Sequence, residues 1–266
     1  MSRAIFFCLL FCSFINCSKE ISKPSFIKFK TENDSIHVIS YNKLNCPMYV
    51  KIIDRTNDNT LYRQLQATEE KVILSYPEKE RDSNGILKKY KFLGYYGVYP
   101  FKAYDTNYNY SLPFLKGYSS KIIQGYDGDF SHYGAFSAKT IDFDMKVGDT
   151  ITAARDGIVV RVTQKHNKQG TSEKFRDYGN YVILYHEDNT FSQYVHLKQN
   201  GSLVKVGDSV KANQPIALSG FTGWTTVPHL HFGVYIPTKT GLASIPIMID
   251  SIQGKTLKRG DLISKK

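Results

Sequence analysis

Cysteine is scarce in this sequence, with four residues among 266. Two of them, Cys8 and Cys12, lie in an N-terminal apolar run that we expect to be removed after export, which leaves Cys17 and Cys46. Disulfide-stabilised folds and cysteine-ligated metal sites both need more thiols than these two. The shortage therefore excludes a disulfide framework and a cysteine-based metal centre.

Long apolar runs are also lacking. The apolar run at residues 4–15 follows Arg3 and is too short to span a bilayer, and its length and basic flank are typical of a secretory signal. Cys17 follows at the position where a lipoprotein signal is cut and the new N-terminal cysteine is acylated. We predict a lipoprotein-type signal peptide at residues 1–17, export to the cell envelope or periplasm, and membrane attachment through Cys17. A plain signal peptide cleaved nearby is the alternative.

Acidic residues are fewer than basic ones, 24 against 35, and the formal net charge is +11. A basic surface suits an acidic polymer, an acidic lipid surface or nucleic acid as partner, although solubility alone would also account for it. The basic residues are scattered along the chain and form no platform with interleaved aromatic residues. Nucleic-acid binding is therefore not expected.

Long amphipathic helical patterns are missing as well. Short strand-like runs closed by Gly, Asn or Asp recur instead, and 19 Tyr with 16 Phe favour pleated sheets. We predict an all-β protein, with a small β-sandwich-like domain at residues 18–111 followed by a second β domain at residues 112–266. The expected strands are residues 35–41, 48–53, 71–76, 91–98, 157–163, 180–186, 190–197, 215–219 and 231–236, and turns are expected at residues 57–59 and 82–85.

Histidine carries the chemical signal, although only seven are present. His229 and His231 form a His-X-His pattern, and residues two apart on a strand project from the same side, where they can reach one metal ion. A catalytic zinc ion needs three protein ligands, drawn from His and carboxylate side chains, and one open position. His132, Asp142 and His231 supply such a set, which leaves His196 and His229 for proton transfer.

Around these residues the sequence resembles the lysostaphin-like zinc endopeptidases of bacterial cell walls, over residues 112–247. Members of that family carry a His followed by an Asp, then a single His, and then His-Leu-His. No single segment is specific, but their number and order are. The segments that carry the resemblance are residues 124–132, 141–143, 153–160, 178–186, 194–197, 206–210 and 222–232.

The resemblance implies an antiparallel β-sheet metallopeptidase domain with a substrate groove. It also implies one zinc ion per chain, bound by His132, Asp142 and His231, with His196 and His229 acting on the substrate. The expected function is hydrolysis of peptide cross-links of peptidoglycan by a metal-bound water.

The remaining motif residues are less informative. Trp224 is expected either to pack in the fold or to line the groove. Val227 stands before Pro228, where family members commonly have Gly, and its larger side chain would narrow the groove. His186 matches a family position that is not a ligand. His37 and His166 lie outside the motifs and are expected at the surface.

Several alternatives stay open. Nine residues separate His132 from Asp142, where many members have three, and Asp144 lies on the same strand face as Asp142 and is a rival ligand. Because intact ligands do not prove turnover, a catalytically silent envelope regulator that activates other wall hydrolases is the alternative function. The first domain has no cluster of ligand-type residues, and its role is open between a spacer, a lid over the groove and a wall-binding module.

Overall fold

The computed structural model describes residues 24–79 and 82–266. The signal peptide expected at residues 1–17, including Cys17, lies outside the described residues. The chain divides into two compact units: one contains the described residues up to Lys102 together with Pro237–Gly241, and the other contains Ala103–Ile236 and Leu242–Lys266.

No helix within the described ranges combines the length and the hydropathy that crossing a membrane requires.

The first unit consists of two three-stranded antiparallel sheets, in the orders β1-β2-β5 and β4-β3-β6, and one short helix. Its elements are β1 (Ile27–Glu32), β2 (Ser35–Tyr41), β3 (Met48–Asp54), β4 (Thr60–Leu65), β5 (Glu70–Pro77), α1 (Ser83–Lys89) and β6 (Tyr90–Tyr96).

The two sheets of the first unit share one hydrophobic core. Val38 from one sheet and Val50 and Ile52 from the other are almost completely buried in the same cluster. Alternation along each strand explains this, because every second side chain faces the opposite sheet. The predicted β-sandwich-like arrangement is therefore confirmed.

The turn predicted at residues 82–85 is wrong, because these residues begin α1. The Asp82 carboxylate accepts a hydrogen bond from the Gly85 backbone N–H at 2.6 Å and caps the helix. Ile86 and Leu87 are buried on the same helix, so tertiary packing adds to the cap. The local sequence carries the polar residues of a turn, and burial of the next two side chains decides in favour of a helix.

The second unit is built around a nine-stranded sheet in the order β16-β11-β13-β14-β19-β9-β8-β23, with β20 also paired to β19, and a smaller sheet β10-β17-β15. Its strands are β7 (Asn109–Tyr110), β8 (Ser119–Gln124), β9 (Thr140–Asp144), β10 (Thr150–Thr152), β11 (Gly157–Thr163), β12 (Gln169–Gly170), β13 (Tyr181–Tyr185), β14 (Phe191–Val195), β15 (Leu197–Ser202), β16 (Ser209–Val210), β17 (Pro215–Ser219), β18 (Gly223–Trp224), β19 (His229–Thr238), β20 (Gly241–Ser244), β21 (Met248–Ile249), β22 (Ile252–Gln253) and β23 (Leu262–Ser264). The short helix α2 (Gly134–Ser137) and two 3₁₀ turns, Glu173–Tyr178 and Gly254–Thr256, complete it.

The central strands of the large sheet pair in antiparallel fashion, as predicted. One face of this sheet packs on the core, where Phe143, Leu230 and Phe232 are fully buried. Burial of each such side chain contributes roughly 1.5–3 kcal/mol. The all-β fold class is confirmed, and strand β19 runs through the middle of the sheet with its alternate side chains on the opposite face.

His186 is a buried polar residue of this unit. Its Nδ1 atom donates a hydrogen bond to the Asp156 carbonyl at 2.7 Å, and its Nε2 atom lies 2.9 Å from Ser192 Oγ. Burial lowers the pKa of His186 to about 4. The imidazole is therefore neutral in the folded protein above that pH, whereas in the unfolded chain it gains a proton near pH 6.5.

This difference predicts that stability falls in mild acid. Between pH 6.5 and 4 the unfolded chain binds the His186 proton and the folded chain does not, so the free energy of unfolding decreases as pH drops, by up to about 3 kcal/mol. His186→Gln keeps a polar side chain and removes this titration. The measurement is urea unfolding at pH 7, 5.5 and 4.5. We expect the difference in free energy of unfolding between wild type and His186→Gln to become smaller as the pH falls. A difference that stays constant would contradict the assignment.

Candidate metal centre and its cleft

Strand pairing brings Asp142 and His231 side by side. In the antiparallel pair of β9 and β19, His231 lies directly opposite Asp142, and Leu230 lies opposite Phe143. Leu230 and Phe143 are fully buried in the core. Because side chains alternate along a strand, His231 and Asp142 project together from the other face of the sheet.

His132 reaches the same point from the loop between β8 and α2. Its Nε2 atom lies 3.1 Å from Asp142 Oδ1 and 3.3 Å from His231 Nδ1, and His231 Nδ1 is 2.9 Å from Asp142 Oδ1. One ligand atom from each of the three residues lies within 4.8 Å of the others. We call His132, Asp142 and His231 the ligand triad.

The other two histidines singled out by the sequence lie beside the triad, and we call His196 and His229 the imidazole pair. Their ring centroids are 4.5 Å apart, and His229 Nε2 lies 3.7 Å from Asp142 Oδ2. His196 Nδ1 is 2.7 Å from the Thr222 carbonyl oxygen, and His229 Nδ1 is 2.8 Å from that of Val227.

These carbonyl contacts fix the tautomers of three imidazoles. A carbonyl oxygen only accepts hydrogen bonds, so Nδ1 of His196 and of His229 carries the proton. The same holds for His132, whose Nδ1 donates to the Gly125 carbonyl at 2.7 Å. Each ring therefore has an unprotonated Nε2 when neutral, and in His132 this atom faces the other two members of the triad.

His196 has an unusual backbone. Its φ angle is +66°, in the left-handed region that costs a residue with a side chain of order 1 kcal/mol or more. The residue lies between the end of β14 and the start of β15. The side-chain amide of Asn180 donates a hydrogen bond to the carbonyl oxygen of the next residue, Leu197, at 3.3 Å. The surrounding hydrogen bonds thus keep the backbone in a conformation that directs the His196 imidazole toward the ligand triad.

Burial and charge act in opposite directions on the triad. Burial raises the pKa of Asp142, but the neighbouring His229, His132 and His231 outweigh it and hold that pKa well below its usual range. For His132, burial lowers the pKa, yet the contact with Asp142 and the backbone hydrogen bonds with Gly125 and Thr140 together outweigh burial and raise it. The site therefore keeps Asp142 as a carboxylate, which is the form that binds a cation.

The remaining two imidazoles with shifted values both favour the neutral form. Burial lowers the pKa of His231, although Asp142 opposes this. Burial, together with the charges of His229 and His231, holds the pKa of His196 well below its usual value. Neutral imidazole is the state that donates a lone pair to a metal or accepts a proton.

Gln124 supports the second oxygen of Asp142. It pairs with Asp142 across β8 and β9, and its Nε2 atom donates to Ser131 Oγ at 3.0 Å and lies 3.4 Å from Asp142 Oδ2. Its Oε1 atom accepts a hydrogen bond from the Phe130 backbone N–H. The Gln124 amide thereby ties the loop that carries His132 to the strand that carries Asp142.

A cleft of about 230 Å³ opens beside the triad. Phe130 and Trp224 form an aromatic wall, with ring centroids 5.5 Å apart. Trp224 Nε1 donates to the Thr171 carbonyl, and Arg176 lies over the indole ring at 5.0 Å. The cleft is lined by Ile123, Gln124, Phe130, Ser131, Asp142, His196, Trp224, Thr226, Val227, His229 and Arg259.

The donor set fits a divalent metal ion of the zinc type. Two imidazole nitrogens and one carboxylate oxygen converge, and an adjoining cleft leaves room for a further ligand. The rival ligand Asp144 is exposed and lies outside this group. The geometry thus separates the two carboxylates that the sequence left as alternatives.

Five further residues that the sequence singled out lie outside the ligand triad and the imidazole pair. Trp224 packs against Phe130 and lines the cleft, and Val227 lines it as well. His186 is buried in the hydrogen-bond network described above, outside the triad. His37 and His166 are half-buried and lie outside both the ligand triad and the cleft.

Several groups that contribute to the site could not be identified from the sequence. The carbonyl groups of Gly125, Thr222 and Val227 orient the imidazoles, and backbone atoms leave no signal in residue types. Gln124 opens the first segment of the family resemblance, but its role follows only from strand register. Arg259 lies beyond all the motif segments, and no sequence pattern marks it.

The second unit contains a stretch that is similar to a known protein family. Residues 137–243 match the model of the family described as Peptidase family M23. The matched range includes Asp142, His196, His229 and His231 and begins just after His132. An uncharacterized metalloprotease of Buchnera aphidicola is 30% identical over 213 residues, covering 78% of this chain and 49% of that protein.

Two further proteins are similar over shorter stretches. The peptidoglycan DD-endopeptidase ShyA of Vibrio cholerae is 35% identical over 119 residues, covering 44% of this chain and 25% of that protein. The catalytic domain of lysostaphin from Staphylococcus simulans is 30% identical, covering 46% of this chain and 82% of that domain, with a TM-score of 0.33. The chain thus spans half or less of the length of the first curated relatives it matches.

The triad predicts which carboxylate holds the metal. Asp142→Ala should lower metal affinity by at least about 100-fold, because loss of an outer partner of a ligand alone costs about 10- to 100-fold. Asp144→Ala is the matched control, since it removes an exposed carboxylate two residues away on the same strand. Metal content after dialysis, measured by mass spectrometry, should fall in Asp142→Ala and in His231→Ala and stay at the wild-type level in Asp144→Ala. Equal loss in both Asp variants would refute the assignment.

Proposed function

We propose that this chain, whose residues 137–243 belong to peptidase family M23, is a zinc-dependent endopeptidase that hydrolyses peptide cross-links of peptidoglycan. The observation that carries the proposal is the convergence of the ligand triad and the imidazole pair at one cleft. Three groups that can hold a metal and two that can move protons are the components that hydrolysis of an amide requires.

His132, Asp142 and His231 would hold the zinc ion. Zinc, when bound, acts as a Lewis acid on the scissile carbonyl and lowers the pKa of water. The chain's own contribution is to hold the three donors in place: Gly125 orients His132, and strand register orients the other two.

His196 and His229 would carry the proton transfers. Each donates its Nδ1 proton to a backbone carbonyl, so each offers Nε2 to the cleft as an acceptor, and as a donor once protonated. In this role they orient the attacking water, stabilise the negative charge that develops on the carbonyl oxygen, and protonate the departing amine.

Peptidoglycan is the proposed substrate for two reasons. A relative that is 35% identical over 119 residues is named as a peptidoglycan DD-endopeptidase. The chain is strongly basic, and peptidoglycan stems carry free carboxylates that such a protein attracts at low salt.

His196→Ala tests the proposed roles. His196 is outside the triad, so the variant should retain zinc, while its kcat/KM should fall about 10²- to 10⁴-fold, the usual contribution of a general acid or base. The measurements are zinc content and release of soluble muropeptides from purified peptidoglycan by the chain without residues 1–17. Unchanged hydrolysis by His196→Ala would disprove the role of the imidazole pair.

The wild-type protein provides the test of the whole proposal. If it retains zinc and releases no muropeptides, while a wall hydrolase becomes more active in its presence, the protein is the silent envelope regulator. Asp142→Ala separates the two cases further, because loss of the metal should abolish hydrolysis.

Location at the cell envelope is part of the proposal, because an enzyme that acts on peptidoglycan must be exported. It rests on the apolar run at residues 4–15 and on Cys17. We expect fatty-acid label to be incorporated into wild type and not into Cys17→Ser, which should leave the membrane fraction. Cys46 is an internal control, because its thiol is buried and should not be labelled. Label retained in Cys17→Ser would exclude lipidation at this residue.

A further inference from the structure

Arg259 is the one lysine or arginine among the residues that line the cleft. Asp142 and the imidazole pair face the same cleft, and the other lining residues are neutral. Arg259 is exposed and lies outside the family match at residues 137–243. A positive charge thus reaches the site from a part of the chain that the family model does not include.

The turn that carries Arg259 is tightly fixed to the sheet. The Gly260 N–H donates to the Ile122 carbonyl at 2.9 Å, and the Ile122 N–H donates to the Asp261 carbonyl at 2.9 Å. Gly260 has a φ angle of +95°, which a residue with a side chain rarely adopts. The turn is therefore anchored on both sides to Ile122, the residue that precedes the cleft-lining Ile123 and Gln124.

A second close approach holds the same segment beside the ligand triad. A Cβ atom placed on Gly125 would lie 2.4 Å from the carbonyl oxygen of Leu257, so only glycine permits this packing. Leu257 is buried, and the Gly125 carbonyl is the group that orients His132. The segment around Arg259 and the triad thus share one rigid support.

The charge of Arg259 is not neutralised within the part of the chain that the structure describes. The nearest carboxylate along the chain, Asp261, accepts a hydrogen bond from the Lys258 backbone N–H at 2.7 Å and closes the turn. No ion pair among the described residues involves Arg259. A guanidinium group presented at a catalytic cleft without an acidic partner is suited to an anionic ligand, and its planar fork matches a carboxylate.

We propose that Arg259 is a specificity-determining residue that binds a free carboxylate of the peptide in the cleft. This inference rests on the proposed function, because it takes the occupant of the cleft to be a peptidoglycan stem peptide. Arg259, which lies outside the metal centre, would thus select stem peptides with free carboxylates over stem peptides whose carboxylates are amidated.

Binding of an uncross-linked stem peptide tests the proposal without requiring turnover. The peptide is prepared with free carboxylates and with every carboxylate amidated, and titrated calorimetrically into the zinc-loaded protein at about 0.15 M salt, where distant charges are screened. Wild type should bind the free acid at least about 10-fold more tightly than the amide, as expected for a charge-assisted hydrogen bond. Arg259→Gln should bind the two forms equally.

Lys258→Gln is the matched control, because it removes the same charge from the adjacent residue, which does not line the cleft. This variant should keep the wild-type preference for the free acid. Equal binding of both peptides by wild type, no binding of either, or a preference that persists in Arg259→Gln would overturn the proposal.

Cleavage of the cross-linked dimer distinguishes failure of this inference from failure of the proposed function. Arg259→Gln should lower kcat/KM about 10-fold or more for the free-acid dimer and leave it unchanged for the amidated dimer. If wild type cleaves neither dimer, the proposed function fails, and the binding titration still decides the role of Arg259.

Discussion

The register between β9 and β19 is the constraint on which the site depends. It places His231 opposite Asp142 on one face of the sheet and Leu230 opposite Phe143 on the other. A slip of one residue would exchange the two faces, turning the polar pair into the core and the apolar pair out of it. Burial of each large apolar side chain is worth roughly 1.5–3 kcal/mol. The core therefore fixes the register, and the register fixes the positions of Asp142 and His231 in the ligand triad.

Backbone carbonyl groups complete the arrangement that the register begins. Those of Gly125, Thr222 and Val227 each accept the Nδ1 proton of one imidazole, which sets the orientation of the ring and the state of its other nitrogen. The left-handed backbone of His196 belongs to the same scheme. Rigid supports of this kind matter because proton transfer and metal binding both tolerate little displacement of the donor atoms.

The cleft joins segments that are far apart in the sequence. Its aromatic wall comes from Phe130 and Trp224, and Asp142, the imidazole pair and Arg259 also line it. The triad is the single group of three convergent ligand-type side chains within the ranges that the structure describes, and it lies wholly in the second unit. The chemistry therefore belongs to this unit, while the first unit contributes a separate sandwich with its own core.

Residue types and their spacing determined a large part of this protein. Alternating apolar residues and turn signals were sufficient for the all-β class, and β2, β11 and β17 begin and end at the predicted residues. Two histidines at i and i+2 on a strand must share a side, and the order of motif segments indicated the family whose model matches residues 137–243. These features could be read because they depend on local geometry, which repeats along any strand.

Tertiary structure decided the rest. Asp142 and Asp144 are equivalent to a local pattern, and only the pairing of β9 with β19 and the position of His132 distinguish them. Residues 82–85 have the composition of a turn, and burial of Ile86 and Leu87 makes them the start of a helix. Arg259 and the orienting carbonyl groups carry no motif at all. Contacts between segments far apart in sequence fix each of these outcomes, so no local pattern could contain them.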